Sequence, residues 1–482
     1  MPTSIAHPSA SDRATDTRLD AVRDRFLEFE ARHDLFARRF GDCPAWEFVR
    51  TEVHDRVLAA TGSLDEKHAT IDRSVRAHLR EARGIAKSLV AHNPFLAGRS
   101  DLLFLGHPRR RREADGRFAD PYCDPLIEAL DPDALLVERP FHHRHAWPVR
   151  TRRIAHLDAL ALGAAGLRVL QRAPLRAADR REVDAIGSDL RRTFEIDLPL
   201  TSIVEAKLAL RRAQLPWWRM LLRRVRPRVM FVVVGYGNEI PIEACRSLGI
   251  PTVELQHGVI SDQNLGYHFP HARKQLAPDY LFTFGSYWRS AAALPVPDER
   301  SFDVGFAHFD AIRAEARTTR REPRIVFVSQ RSIGRELSRI AVEVARRTDA
   351  EVVYKLHPGE LASWREDYPD LATSTVRVVD ASGPDLYELF ATSTVQVGVY
   401  STALFEGLAF GLRTRVVRLP GHTALAGMVA ACEEAEFVDG ADEIARTPVA
   451  PLPTPPNVDT FFAPDAIRNA RAALAAILED RG

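Results

Sequence analysis

Cysteine is scarce in this sequence, and the few cysteines are far apart. The 482 residues contain four of them and no CxxC pair: Cys43, Cys123, Cys245 and Cys432. Zinc ribbons and disulfide frameworks need closely spaced cysteines, so we expect neither. A reducing compartment, the cytoplasm, fits this composition.

Long apolar runs and an excess of one charge are also missing. The longest apolar runs, such as VMFVVVG, are far shorter than the about 20 residues that a membrane span requires. The opening MPTSIAHPSASDRATD lacks the apolar core of a signal peptide. The 66 basic and 65 acidic side chains leave a net charge of +1, which gives no argument for a nucleic-acid partner. We expect a soluble protein that binds no nucleic acid.

The hydrophobic pattern divides the chain into four segments. Residues 1–16 are polar and aperiodic, and we predict a disordered tail there. Residues 17–310 begin with helical periodicity and pass into alternating strands and helices. The alternation restarts in residues 311–460, and residues 461–482 contain a closing helix. Strands and helices that alternate with short connections predict an α/β fold, here two Rossmann-like, doubly wound domains with an N-terminal helical region.

The clearest predicted strands lie in the middle of the chain. RPRVMFVVVGYGN contains an apolar, β-branched run typical of a strand buried on both faces, and IPTVELQHG is the next strand after the helix EIPIEACRSLG. In the second domain, RIVFVSQ, EVVYKLH and VQVGVYS are predicted strands. Ligands of such sheets bind at the carboxyl ends of strands, so polar residues that follow these strands are the candidates for a site.

Two chemically useful side chains follow the strands of the first domain. Glu239 lies in VGYGNE and His257 in QHG, where they would act as a general base and its partner. Gly235 and Gly237 allow a ligand to approach the backbone closely, but Ile240 stands where a dinucleotide fingerprint has its third glycine. The alternative for His257 is an ordinary histidine at the start of a loop.

The KLHPGE motif of the second domain suits a phosphate. Lys355 is a cation, and the imidazole of His357 can donate a hydrogen bond to a phosphate oxygen in either protonation state. Pro358 fixes the turn that follows. A plain strand end is the competing interpretation.

Four further candidates of the second domain follow strands, and a fifth lies on a helix. Ser401 and Thr402 stand where VQVGVYS turns into a helix, so their hydroxyls and the first helical N–H groups could bind an anion or simply cap the helix. Glu406, about one turn further on, could accept hydrogen bonds from a ribose or remain solvated. Ser329 and Gln330 end the strand RIVFVSQ and either point towards the same ligand or belong to a polar loop.

Arginine-rich stretches raise the question of a lipid surface. LPWWRMLLRRVRPR, at 215–228, combines paired tryptophans with arginines, as segments at bilayer surfaces do. We favour a core helix with solvated arginines, and a peripheral contact with the inner face of the cytoplasmic membrane is the alternative. HPRRRRE, at 107–113, follows a strand and would meet an anionic acceptor or form a solvated loop.

Taken in chain order, ELQHG, KLHPGE and YSTALFEGLAFG resemble motifs of bacterial capsule and surface-polysaccharide glycosyltransferases of the GT-B fold. These families include capsular Kdo transferases, bacterial sialyl- and polysialyltransferases, and teichoic-acid glycerophosphotransferases. The resemblance covers residues 225–420. It implies two domains that face a cleft, with the closing helix packed back across it.

The resemblance also implies roles for the candidate residues. A nucleotide-activated donor would be held by the second domain, with its phosphate on His357, Ser401 and Thr402, and with no cofactor and no metal. His257 matches the histidine regarded as the base in the glycerophosphotransferases. The acidic-acidic-glycine motif of the sialyltransferases is missing from a comparable strand end, so the base stays open between His257 and Glu239.

The expected function is metal-independent transfer of a sugar, or a related unit, from a nucleotide-activated donor to a glycan or glycolipid acceptor. A CMP-linked sugar is one candidate donor, and a surface or capsular polysaccharide is the expected acceptor. The alternatives are an epimerase or hydrolase that acts on a nucleotide sugar, and a non-catalytic scaffold in polysaccharide assembly.

Overall fold

The computed structural model of the protein contains two compact units. It describes residues 10–61, 84–113, 115–141, 144–170, 174–316 and 318–480. The first unit comprises, of these, residues 25–57, 84–308 and 463–480, and the second comprises 309–462 with 10–24 and 58–61. Each unit is built on its own parallel sheet with helices, which confirms the predicted α/β fold of two doubly wound domains.

The first unit contains a seven-stranded parallel sheet. From edge to edge its strands are β5 (Ile154–His156), β4 (Leu135–Glu138), β1 (Leu102–Leu105), β6 (Val229–Val233), β7 (Thr252–Leu255), β8 (Tyr280–Thr283) and β9 (Ser301–Asp303). The chain adds β4 and β5 on one side of β1, and β7 to β9 on the far side of β6. The switch point of the topology, where such sheets bind ligands, therefore lies between β1 and β6.

Both faces of this sheet are buried, as the apolar run of β6 predicts. All five residues of β6 are buried. Because side chains alternate along a strand, Phe231 belongs to one core and Met230 to another. Phe231 stacks on Phe104 of β1 with ring centroids 4.5 Å apart. The helices that lie between or after the strands of this unit include Asp124–Leu130, Asp158–Leu170, Ala177–Phe194, Leu200–Val225, Glu239–Arg246, Tyr287–Ser290 and Ala466–Glu479.

A small hairpin occupies the basic stretch after β1. The strands β2 (Arg111–Arg112) and β3 (Phe118–Ala119) pair in antiparallel fashion. Two of the seven residues of the HPRRRRE segment, Arg111 and Arg112, therefore belong to a strand rather than to a plain loop. The sequence had not predicted this hairpin.

The helices that precede the first sheet include Ala10–Arg32 and Ala45–Ala60. The first begins inside the predicted disordered tail, so the prediction is wrong for residues 10–16, and residues 1–9 lie outside the described part of the chain. Residues 10–32 contain no proline or glycine, so a helix nucleated near the apolar positions extends backwards at a small cost per residue.

The tryptophan-rich segment lies in the helix Leu200–Val225. Trp218, Leu221 and Leu222 are buried in the core, while Met220 is 43% exposed. This confirms the core-helix interpretation, and peripheral membrane contact stays a prediction. None of the described helices is long and apolar enough to cross a membrane.

The second unit contains a six-stranded parallel sheet. Its strands are, in order, β12 (Arg377–Val379), β11 (Glu351–Lys355), β10 (Arg324–Val328), β13 (Val395–Gly398), β14 (Arg413–Val417) and β15 (Ala435–Val438). The switch point lies between β10 and β13. The longer helices of this part are Ala307–Ala316, Gly334–Ala345, Leu386–Thr392 and Ala403–Ala409, and shorter ones span Trp364–Asp367, Pro369–Ala372, Ala426–Ala431 and Ala441–Ala445.

The closing helix, Ala466–Glu479, returns to the first unit. Ala470, Ala473 and Ile477 are buried in the same core as Phe231. Beyond the helix, Asp480 accepts a hydrogen bond of 2.8 Å from the hydroxyl of Tyr280 on β8. The last segment of the chain thus completes one face of the first sheet.

Candidate active site

His257 lies just beyond the carboxyl end of β7, which is next to β6 in the sheet. The switch point between β1 and β6 opens at the carboxyl ends of these same strands. The loop of His257 is held on both sides. The buried side chain of Gln256 donates to the carbonyl of Gly258 (2.8 Å) and accepts from the N–H of Phe284 (2.7 Å). The hydroxyl of Tyr122 donates to the carbonyl of His257 (2.8 Å). The backbone that carries the imidazole is therefore fixed.

A chain of two hydrogen bonds orients the ring of His257. The hydroxyl of Tyr267 donates to Oε1 of Glu254 (2.8 Å). The hydroxyl oxygen of Tyr267 also lies 3.2 Å from Nδ1 of His257. Because the single proton of Tyr267 is used on Glu254, Nδ1 of His257 must be the donor to Tyr267. This tautomer leaves the lone pair on Nε2. A histidine held by a hydroxyl and a carboxylate in this way is arranged to accept a proton.

The protonation state of His257 agrees with that role. Burial, together with the nearby His107, lowers the pKa of His257 to about 4. The two imidazoles are nearly parallel, with centroids 6.5 Å apart. Burial lowers the pKa of His107 as well. At neutral pH His257 is uncharged, so its lone pair is available.

Glu254 is a carboxylate inside the core of the sheet, on β7. Burial raises its pKa, while hydrogen bonds from the N–H of Gly235 and from Tyr267 oppose that shift. Gly235 is packed against this carboxylate, and a Cβ there would collide with Glu254 and with Pro278. Gly235 was predicted to let a ligand approach the backbone. In the structure, its missing side chain leaves space for the carboxylate of Glu254, which accepts the hydrogen bond from Tyr267.

Glu239, the other candidate base, begins the helix that follows β6 and is buried. Its Oε1 accepts hydrogen bonds from Nζ of Lys274 (2.9 Å) and from the N–H of Gly237 (3.0 Å). Both hydrogen bonds engage this oxygen of Glu239 within the protein, whereas the tautomer of His257 leaves a lone pair on Nε2. The geometry favours His257 over Glu239 as the base.

The second unit brings several predicted residues to the switch point between β10 and β13. Gln330 follows β10, and Tyr400, Ser401 and Thr402 follow β13. The N–H of Tyr400 donates to Oε1 of Gln330 at 3.4 Å, which joins the two strand ends. The Ser401 hydroxyl accepts from the N–H of Ala403 (3.2 Å). Thr402 is the residue before the helix Ala403–Ala409, on which the partly buried Glu406 lies.

His357 has a defined tautomer. Its Nδ1 accepts a hydrogen bond of 3.1 Å from the N–H of Gly359, so a neutral imidazole carries its proton on Nε2. The N–H of His357 donates to Oε2 of Glu360 (2.6 Å), which completes a reciprocal capping arrangement. Pro358 begins the short 3₁₀ turn Pro358–Glu360. The Nε2 proton is of the type that a phosphate oxygen accepts.

Two predicted phosphate ligands are engaged within the protein. Nζ of Lys355 donates to the carbonyls of Asp380 (3.0 Å) and Pro384 (3.2 Å). The buried hydroxyl of Ser329 donates to Oε1 of Glu360 (2.7 Å). Both side chains therefore stabilise the loops that follow the strands. Lys355 also adds a positive charge at the end of β11.

Sequence reasoning missed Glu254, Tyr267 and His107. Glu254 carried a signal, because a carboxylate in a strand predicted to be buried needs a partner. Tyr267 lies in a loop without a distinctive pattern, so only the folded structure links it to His257. His107 was included in a basic cluster and was not considered as a ring that neighbours His257.

No protein-family model matches the chain. A curated relative from Rubrobacter xylanophilus, UDP-N-acetylglucosamine–N-acetylmuramyl-(pentapeptide) pyrophosphoryl-undecaprenol N-acetylglucosamine transferase, is 30% identical over 210 residues. The match covers 42% of this chain and 59% of the relative. The chain thus spans less than two thirds of that relative.

Solved structures to which the chain is similar include an epimerase and MurG. The UDP-GlcNAc 2-epimerase of Methanocaldococcus jannaschii is 11% identical with a TM-score of 0.46, over 78% of this chain and 99% of the epimerase. MurG of Acinetobacter baumannii is 10% identical with a TM-score of 0.42, over 78% of this chain and 98% of MurG.

Proposed function

We propose that the protein is a glycosyltransferase of the GT-B type that uses a nucleotide-activated sugar. The observation that carries this proposal is the His257–Tyr267–Glu254 chain, which leaves a neutral imidazole at a strand end with its lone pair on Nε2. The similarity to a curated N-acetylglucosamine transferase supports it.

In the proposed reaction, an acceptor hydroxyl gives its proton to Nε2 of His257 as its oxygen attacks the anomeric carbon of the donor. The bond between that carbon and the nucleotide phosphate breaks, and the phosphate leaves with the electron pair. Burial opposes the imidazolium that forms. Tyr267, backed by the Glu254 carboxylate, accepts the Nδ1–H hydrogen bond and stabilises that cation.

The second unit would hold the donor. His357 would donate from Nε2 to the departing phosphate, and the hydroxyls of Ser401 and Thr402 would donate to the same group. Gln330 and Glu406 would contact the nucleotide. We propose a UDP-sugar as the first donor to test, because the curated relative is named for one, with CMP-linked sugars next. No cofactor or metal takes part at the phosphate in this scheme.

The proposed acceptor is a lipid-linked or surface glycan. The name of the curated relative includes a pyrophosphoryl-undecaprenol acceptor, and the resemblance of the motifs points to surface and capsular polysaccharide. With such an acceptor, the proposed location of the protein is the cytoplasm, at the inner face of the membrane.

Donor binding can be tested by thermal unfolding with UDP, CMP, CDP and GDP. A ligand at about 100 times its Kd should stabilise the protein by about 2.7 kcal/mol. We expect one nucleotide to act selectively, His357→Gln to abolish its effect, and the exposed His271→Gln to leave it unchanged. The absence of any nucleotide effect would contradict the proposal and favour the scaffold.

Turnover separates transferase from epimerase. With the selected UDP-sugar and an undecaprenyl-linked glycan, we expect release of nucleotide only when the acceptor is present. His257→Gln should lower this rate by about 10²- to 10⁴-fold, the usual contribution of a general base, and preserve the nucleotide effect on unfolding. Rearrangement of the donor sugar without an acceptor would overturn the transferase assignment in favour of the epimerase.

A further inference from the structure

A cluster of potential metal ligands lies in the first unit, at the carboxyl ends of β4 and β5. Among the described residues, Glu138, His145 and His156 are the one group in which three such side chains bring ligand atoms within 4.8 Å of one another. Glu138 ends β4, His156 ends β5, and the two are register partners in the parallel pair. His145 comes from the segment between these strands.

Glu138 and His156 are buried, His145 is partly buried, and the three side chains bring their ligand atoms together. Their exposed fractions are 3% for Glu138, 9% for His145 and 6% for His156. Oε1 of Glu138 lies 3.1 Å from Nδ1 of His145 and 3.8 Å from Nε2 of His156. Atoms bound at 2.0–2.1 Å to a tetrahedral zinc ion are about 3.3 Å apart, so these separations bracket the required value.

Each ligand also has an outer partner that fixes which atom faces the centre. Nε2 of His145 lies 2.8 Å from Oδ2 of Asp158, which leaves Nδ1 for a metal. Nδ1 of His156 lies 2.9 Å from the hydroxyl of Ser88, which leaves Nε2. Nε of Arg110 donates to Oε2 of Glu138 (2.7 Å), which leaves Oε1. Such outer hydrogen bonds accompany metal-bound histidines and carboxylates in proteins.

We propose that Glu138, His145 and His156 bind one zinc-class divalent ion, with water in the fourth position. Two imidazoles and one carboxylate match the preferences of Zn²⁺. The ion would tie the segment between β4 and β5 to the ends of both strands. This proposal does not depend on the transferase assignment.

Binding requires one rearrangement. The rings of His145 and His156 are stacked with centroids 3.4 Å apart and planes at 1°, whereas a metal ion lies close to the plane of each imidazole that binds it. One ring must therefore tilt. The tilt would have to keep the outer hydrogen bond of the ring that moves, to Asp158 for His145 or to Ser88 for His156. A proton between His145 and Glu138 is the competing explanation of their 3.1 Å approach.

The test uses the full chain, stripped with a chelator and titrated with Zn²⁺ and with Co²⁺. We expect one Zn²⁺ per chain after gel filtration, and visible Co²⁺ absorption bands of a four-coordinate site. Glu138→Gln and His156→Gln should abolish both signals, and Asp158→Asn should weaken binding about 10- to 100-fold. His92→Gln is the matched control, because this ring lies against His156, tilted by 37° with centroids 4.6 Å apart, but is not a member of the cluster.

Two results would overturn the proposal. Less than stoichiometric Zn²⁺ on the wild-type chain, or Co²⁺ bands that survive Glu138→Gln, would leave the shared proton as the explanation. Far-UV circular dichroism in the presence of chelator shows whether each variant folds. If a variant does not fold, the stoichiometry and Co²⁺ spectrum of the wild-type chain decide.

Discussion

The hydroxyl of Tyr267 bridges the neutral imidazole of His257 and the buried carboxylate of Glu254. Tyr267→Phe removes the hydroxyl between Nδ1 of His257 and Oε1 of Glu254. We expect the turnover number to fall about 10²-fold with the donor KM unchanged, because the base loses its orientation and its support. The buried carboxylate of Glu254 would keep the hydrogen bond from the N–H of Gly235 and lose the one from Tyr267, which should also cost about 1–3 kcal/mol of stability, measured by denaturant unfolding.

Tyr122→Phe is the matched control, because that hydroxyl contacts the backbone of His257 and not its ring. Its turnover should fall much less than that of Tyr267→Phe. Equal losses in both variants would show that the loop, and not the ring, is what Tyr267 holds.

The pH dependence of turnover should report His257. Its pKa is lowered to about 4, so the neutral, proton-accepting form persists until the pH falls to that value. We therefore expect kcat/KM to be flat from pH 7 down to pH 5 and to decline near pH 4. An acid limb near the ordinary histidine pKa of about 6.5, absent in His257→Gln, would show that the ring is more solvated than its contacts indicate.

His54 makes a separate prediction about stability. Burial and the neighbouring Arg50 lower its pKa to about 3, and its ring packs on Phe26 with centroids 5.0 Å apart. The unfolded chain binds a proton at this position below about pH 6.5 and the folded chain does not, so acid weakens the fold. His54→Leu should remove that effect. The Tm of the variant relative to wild type should rise as the pH is lowered from 7 to 5, and a constant difference would contradict this.

The residues show how far sequence reasoning reaches into the site. His257 and His357 were found because each follows an apolar strand, and position after a strand is visible in sequence. Lys355 and Ser329 have side chains that suit a phosphate and lie at strand ends. In the structure they instead donate hydrogen bonds within the protein, to Asp380, Pro384 and Glu360. Which side chains the protein itself engages is set by contacts between distant segments.

At the scale of elements, the helix Leu200–Val225 makes a clear prediction about its two surfaces. Trp218→Ala should cost about 3–5 kcal/mol of unfolding free energy, because it leaves a cavity beside Leu221 and Leu222. Met220→Ala, two residues away and 43% exposed, should change stability by no more than about 0.5 kcal/mol. Chemical denaturation of both variants checks the pair. A large loss for Met220→Ala without membranes would mean that this side chain packs on protein.

Strand predictions succeeded where the apolar run was long. β6 and β10 have five residues each and were visible as continuous runs. β5 has three residues, and β15 is the mixed sequence AEFV, so neither has a period that can be read locally. β15 becomes a strand because it pairs with β14 through four residues. Pairing partners, not intrinsic preference, decide such short strands.

At the scale of the whole molecule, donor binding should be a property of one unit. Hydrogen exchange with the selected nucleotide should slow at the ends of β10, β11 and β13, near Gln330, His357 and Ser401. Exchange at the end of β7 should change less when no acceptor is present. Mass spectrometry of peptides from the full chain measures this. Protection confined to the first unit would reverse the assignment of donor and acceptor sides.

The two-unit α/β architecture was predictable because strand and helix periods alternate along most of the chain. The predicted cleft between the units concerns their relative placement, and it stays a prediction. Sequence periodicity describes how one segment packs on its neighbours, and carries little information on how two finished units meet.

The closing helix has a consequence for the order in which the protein is made. Ala470, Ala473 and Ile477 fill the core of the first unit, yet the ribosome synthesises them after the entire 309–462 segment. At about 5–20 residues per second, the sheet of the first unit waits roughly 10 to 30 s on the nascent chain with part of one apolar face uncovered. The second unit has its own core and can form during that interval. Chaperone binding during synthesis should therefore be directed at the first unit, although it emerges first.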